Sequence, residues 1–326
     1  MIIDSHVHLF ASHQLDSLAW MTQDHILHSS HGPDEYATAA SQCKSAAIDG
    51  YIVVEADWRH TPTDYSGPLE EFKYHASLVR SKTRPQIKAL VPWAPLPWGA
   101  SAVASFLDSM RDADPEVYIS HVRGVRYLAQ DFGSGSMTGF TESMKLLASR
   151  GLVAEVGVKI RGAIPGPSAV YQLEEALELI KTSPKTRYIF DHLCKPDLRI
   201  PAAELARSDE FSGYSRVIAE LARYDTYIKL SGGFSELDPT IASSRHTESE
   251  AVEAILPWVE VVFSEFGPRR VMFGSDWPVS TIAGGPDAVA RWLRICGMLF
   301  DKLGLDEDER EAALSSTALS AYNVAC

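Results

Sequence analysis

Cysteine is scarce in this chain of 326 residues: Cys43, Cys194, Cys296 and Cys326 are its 4 cysteines, none of them in a CxxC spacing. That scatter excludes a disulfide scaffold and reads as free thiols in a reducing compartment. Basic residues are also short. The 30 Lys and Arg stand against 43 Asp and Glu, a formal net charge of −13, which argues against a nucleic-acid binder or a protein held on an anionic membrane. A small anionic substrate is still compatible, because a few local arginines outweigh a global field. No apolar run reaches membrane-spanning length, and the N-terminus has neither the basic start nor the long apolar core of a signal peptide. The C-terminal AYNVAC carries no peroxisomal or endoplasmic-reticulum address, so the expected location is the cytoplasm. There is no GxSxG elbow, no GxxxxGK[ST] and no GxGxxG opening a helix. Serine-triad hydrolysis and nucleotide chemistry therefore lack support.

What the chain does have is core material. Hydrophobic residues make up 45% and charged residues 22%, ordinary values for a globular protein with a large core. Short β-rich runs recur along the whole length: IIDSHVH, YIVVEAD, IKALVPWAP, VRGVRYL, LVAEVGV, RYIFDHL, YIKLSG and VMFGSDWP. Between them lie amphipathic patterns such as YQLEEALELIK, with apolar residues at three- and four-residue intervals. Alternating strand and helix implies parallel strands, and eight such units imply an α/β protein closed into a (β/α)₈ TIM barrel. No stretch looks like an interdomain linker, so one domain is expected over residues 1–326. The longest departures from the pattern are Ala11 to Pro33 and the RGAIPGP loop after the fifth run, both candidate walls or lids of a site.

Buried parallel strands should be mostly apolar, yet most of these runs end in polar groups, on the catalytic face of such a barrel. They supply His6 and His8, Glu55, Arg126, Glu155, Asp191 with His192, Lys229, and Asp276. So many charged or imidazole groups would be a costly way to build a core. Strand alternation sends His6 and His8 to one face, which suits a metal ion. Asp276 is read as a metal ligand and acceptor of a proton from water, against the alternative of a helix cap. His192 is read as catalytic. Glu155 either completes the metal site or faces a helix and pairs with Lys159. Arg126 suits a carboxylate or polarised ester oxygens, or else a structural salt bridge. The histidines of HILHSSH read as solvent or lid residues, and Cys194 as a small buried residue.

In that order, DSHVH, GVRYL, FDHLCKP, YIKLSG and VMFGSDWP resemble the amidohydrolase superfamily, in its branch of sugar-acid lactonases. The SLAW and DEY that follow HLF look most like fungal L-rhamnono-γ-lactonases. The resemblance implies a (β/α)₈ barrel that hydrolyses a ring ester, with His6 and His8 at the first metal position, Asp276 as the last-strand carboxylate and His192 as the sixth-strand imidazole. The binuclear pattern of that superfamily places a lysine on the fourth strand and a histidine on the fifth. Arg126 and Glu155 stand there instead, so one metal is expected rather than two, and some relatives in this branch dispense with metal.

The expected site is one divalent ion, Zn²⁺ by its donors, on His6, His8, Glu155 and Asp276. Asp276 and His192 would carry the catalysis, with Arg126, Glu55, Trp58, Tyr127 and Trp277 holding the polyol of a small sugar lactone. No nucleic-acid or membrane partner is expected, and a homo-oligomer stays open. Two other readings remain at this point: a decarboxylase of an aromatic or unsaturated acid, and a catalytically silent ligand-binding barrel.

Overall fold

Each of the eight β-rich runs forms a strand in the computed structural model, which describes residues 1–43, 47–82, 86–130, 135, 137–160, 166–244 and 248–325. They are β1 (Ile3–Val7), β2 (Gly50–Val54), β3 (Gln86–Val91), β4 (Gly124–Leu128), β5 (Val153–Gly157), β6 (Tyr188–Phe190), β7 (Thr226–Leu230) and β8 (Val271–Phe273). Neighbours pair in parallel in the orders β1-β2-β3 and β4-β5-β6-β7-β8. Backbone hydrogen bonds close both seams. Between β3 and β4, Arg126 N donates to Pro92 O (2.9 Å) and Arg123 N to Leu90 O (3.2 Å). Between the end of β8 and β1, His8 N donates to Trp277 O (2.8 Å) and Asp276 N to His6 O (3.0 Å). The architecture is a closed (β/α)₈ barrel.

Helices return the chain between strands because their apolar residues fall on one face. In the helix Tyr171–Thr182, Leu173, Ala176, Leu177 and Ile180 are buried, the stripe expected at 3.6 residues per turn. The barrel interior is apolar at its N-terminal end, where Ile3, Ile52, Ala89, Val153, Ile189 and Met272 meet Leu319 and Tyr322 of the C-terminal segment. That segment plugs the barrel. Each aliphatic side chain so buried contributes about 1.5–3 kcal/mol. Among the described residues, no helix is long and apolar enough to cross a membrane.

One irregularity in β1 sets the stage for the site. Asp4 faces the outer layer, where Tyr36 of the helix Pro33–Ala40 donates to its Oδ2 (2.8 Å). Strict alternation would send His6 outward as well. The pairing of β1 with β2 shifts register between Asp4 and Val7, and a shift of one residue exchanges the faces. Val7 thus joins the outer core, while His6 and His8 both point inward.

Candidate active site

His6 and His8 meet Asp276 at the C-terminal end of the barrel. His6 Nε2 and His8 Nε2 are 3.1 Å apart, and Asp276 Oδ1 lies 3.8 Å from the first and 3.6 Å from the second. All three residues are buried. Their ligand atoms fall within 4.8 Å of one another, and a second trio, His6, Asp191 and His192, overlaps the first.

The hydrogen bonds around the rings orient their lone pairs. His8 Nδ1 has the carbonyl of Val54 at 3.2 Å, an acceptor only, so the proton sits on Nδ1 and the Nε2 lone pair faces Asp276. His6 Nδ1 has Asp191 Oδ1 at 3.3 Å, a buried oxygen with no hydrogen-bond partner. A proton on His6 Nδ1 satisfies that oxygen and frees Nε2. Lys229 Nζ, 3.0 Å from the same nitrogen, donates to Glu155 Oε1 at 2.6 Å. Two imidazole nitrogens and one carboxylate oxygen, each braced from behind, form a buried metal-binding cluster suited to a divalent ion with a position left for water.

Burial is the largest influence on these groups. Burial, followed by the Lys229 charge, drives His6 well below its ordinary value. His192 is pushed down to about 4 by burial, against the pull of Asp276. Both rings are therefore neutral near pH 7, as metal or substrate contact requires. Burial alone would raise Asp276, but His192 and His8 outweigh it and hold the carboxyl below its ordinary value. Asp191 is likewise pulled far down by Arg126 and His6 despite burial.

Glu155 is not where a ligand is needed. It sits on the Nδ1 edge of His6 (3.5 Å), away from the Nε2 edge that faces His8 and Asp276. It is paired with Lys229 and accepts a hydrogen bond from Tyr322, and burial together with Asp191 pushes it up to about 8. On β5 it lies opposite Arg126 on β4 and Ile189 on β6. Lys229, not Lys159, is its partner. Arg126 is buried as well, with Nη1 2.8 Å from Glu55 and Nε 2.8 Å from Asp191.

Above this floor opens a cavity of about 250 Å³, room for one small molecule. Its wall includes His8, Glu55, Arg126, His192, Asp276 and, from the Ala11–Pro33 segment, Trp20. Three expected sugar contacts lie elsewhere. Tyr127 follows Arg126 on β4 and so faces the helices, against Trp93, Trp98 and Phe140. Trp58 packs with Phe10, Leu18 and Met21 beneath the Ala11–Pro33 segment. Trp277 turns outward onto Tyr36 and His31. Trp20 is the aromatic at the cavity instead, its Nε1 donating to Ala56 O (2.8 Å). Of the RGAIPGP loop, residues 161–165 lie outside the described residues.

Sequence reading missed two parts of the site. Asp4 braces it from outside: its Oδ1 accepts from Ser275 N (2.8 Å) and His6 N (3.2 Å), tying the histidine strand to the loop that carries Asp276. The other is a turn. His192, Leu193, Cys194 and Lys195 have φ of +52°, +53°, +66° and +52°, a left-handed run that costs non-glycine residues about 1–2 kcal/mol each. The signal available was only the chemistry of DHLCKP, since nothing in those residue types announces the conformation.

A parallel barrel with buried imidazoles and a carboxylate at its C-terminal mouth defines a class, the metal-site hydrolases of the TIM-barrel type. A family model described as amidohydrolase matches residues 3–324, and the chain belongs to that family. It is 31% identical to an L-rhamnono-gamma-lactonase of Scheffersomyces stipitis, over 99% of this chain and 98% of that one. It is 29% identical to an L-fucono-1,5-lactonase of Burkholderia ambifaria, over 47% of each. Among solved structures, an amidohydrolase from Burkholderia multivorans with bound zinc shares the fold over 100% of both chains, with a TM-score of 0.76 and 24% identity.

Proposed function

We propose that this protein is a sugar-acid lactonase that opens L-rhamnono-γ-lactone to L-rhamnonate. The observation that carries the reading is the buried His6–His8–Asp276 cluster at the floor of a small cavity. The full-length similarity to a rhamnonolactonase supports the substrate. His6, His8 and Asp276 would hold one divalent ion, with zinc, as in the Burkholderia multivorans relative, the first choice. Such an ion polarises an ester carbonyl and lowers the pKa of water from nearly 16 toward about 7.

The chain's own groups then account for the proton and charge movements. Asp276, ionised by its histidine neighbours, takes a proton as the water oxygen adds to the carbonyl carbon. The carbonyl π pair moves onto its oxygen, where His192 meets the developing charge. When the Ser231 hydroxyl, 2.8 Å from His192 Nδ1, donates to that nitrogen, the neutral ring carries its proton on Nε2, 3.8 Å from Asp276 Oδ1. Collapse of the tetrahedral species breaks the ring C–O bond, and Asp276 returns the proton to the departing ring oxygen. Lactone and water become one hydroxy acid, with no other reactant. Glu55, Arg126 and Trp20 frame the polyol.

Acid release followed by pH-stat across a panel of aldonolactones tests the reading. L-rhamnono-γ-lactone is expected to be turned over fastest, and Asp276→Asn to lose about 10³-fold in kcat while staying folded. Carbon dioxide release from aromatic acids without lactone turnover would refute it.

A further inference from the structure

We propose that Lys195 is a further catalytic residue, which together with His192 cradles the oxyanion from a single left-handed turn. The proposal rests on the lactonase reading and names the group that meets the charge. Four consecutive non-glycine residues, His192 to Lys195, hold positive φ, and Lys195 N closes the turn on His192 O (2.8 Å). The middle two, Leu193 and Cys194, are buried in the outer core. The outer two, His192 and Lys195, line the cavity beside Asp276. Strain of this kind is kept where it positions chemistry.

The charge balance of the barrel singles out the same residue. Arg126 is matched by Glu55 and Asp191, each at 2.8 Å, and Lys229 lies 2.6 Å from Glu155 and 3.5 Å from the ionised Asp191. Lys195 Nζ donates instead to a neutral acceptor, Gln130 Oε1, at 2.5 Å. Asp276 and Glu236 act on it electrostatically, but among the described residues no carboxylate lies within 4.0 Å of it. An ammonium has three donors, so two remain for a ligand. The lactone is neutral, its tetrahedral intermediate bears an oxyanion, and the product is a carboxylate. A cation with no carboxylate in contact favours the last two over the first, which is what accelerates the chemical step.

Lys195→Met, Lys195→Arg and Gln130→Leu test this, with melting temperature and metal content checked against the wild type. For Lys195→Met the expected result is a loss of about 10²–10³-fold in kcat with the KM for lactone nearly unchanged. L-rhamnonate should bind at least ~10-fold more weakly, and the neutral polyol L-rhamnitol as before. Lys195→Arg should restore part of kcat, and Gln130→Leu, which frees the ammonium to swing, should lower kcat without moving KM. A folded Lys195→Met with kcat reduced less than ~10-fold and undiminished rhamnonate binding overturns the proposal. If Lys195→Met does not fold, an unchanged kcat in Gln130→Leu overturns it equally. A wild type that hydrolyses no lactone sinks the lactonase reading instead, so the two failures are distinguishable.

Discussion

His75, on the helix Ser66–Ser81, shows how a single buried ring couples this fold to pH. It is 2% exposed, and its Nε2 lies 3.0 Å from the carbonyl of Leu9, the residue directly after His8. Burial pushes its pKa down to about 4. The unfolded chain takes up a proton there below about pH 6.5 while the folded protein does not. Its contribution to stability is therefore complete above about 6.5 and is lost as pH falls toward 4. A shift of that size corresponds to about 3 kcal/mol. His75→Gln keeps a donor for Leu9 and removes the titration. Denaturant unfolding between pH 4 and 7 should show a shallower pH dependence in the variant than in the wild type, and parallel curves would refute the assignment.

At the scale of elements, strand and loop geometry decides which side chains reach the site. Gly232, two residues past the end of β7, has φ +66°, and a Cβ there would sit 2.5 Å from His192 Nδ1. Gly232→Ala should destabilise the protein by about 1–2 kcal/mol and displace His192, lowering kcat by about 10²-fold. Near-normal turnover by the alanine variant would show that the ring has room to move. All eight strands were legible, because a short apolar run between amphipathic helices has few other places to go. The pairing of His6 with His8 was legible from alternation alone. What was not legible was depth and phase. Tyr127 and Arg126 are adjacent on one strand, so the pleat sends only one of them, Arg126, inward. Glu155 faces inward, but how far up the barrel it sits depends on the register of β5 against β4 and β6, which a single sequence does not encode. The tryptophans misled for a related reason. Trp58 and Trp277 are close in sequence to site residues, yet their large apolar rings are stabilised more by apolar packing, Trp277 in the outer core and Trp58 beneath the Ala11–Pro33 segment, than by a wet cavity. Lys195 shows the opposite case: in an ordinary extended continuation after β6, it would fall on the face opposite His192.

Across the whole molecule, the site lies on the barrel's last seam. His6 and His8 belong to β1, and Asp276 follows β8, the two ends of the cyclic sheet. Two backbone hydrogen bonds cross here, His8 N to Trp277 O and Asp276 N to His6 O, where β4 and β5 share a continuous register of five paired residues. An ion held jointly by His6, His8 and Asp276 would therefore act as a clasp between chain positions some 270 residues apart. Ligand binding to the folded state alone stabilises by RT ln(1 + [L]/Kd), about 2.7 kcal/mol at a hundredfold excess over Kd. For a barrel the effect should be local as well as global, since the weakest seam opens first. Chelation is expected to lower the melting temperature and to raise amide exchange selectively at His8 and Asp276, with the β4–β5 amides protected as before. Adding Zn²⁺ back should reverse both changes in the wild type and neither in His8→Ala. Exchange that rises evenly around the barrel, or a melting temperature indifferent to chelator, would mean that the imidazoles and the late carboxylate converge for some purpose other than holding an ion.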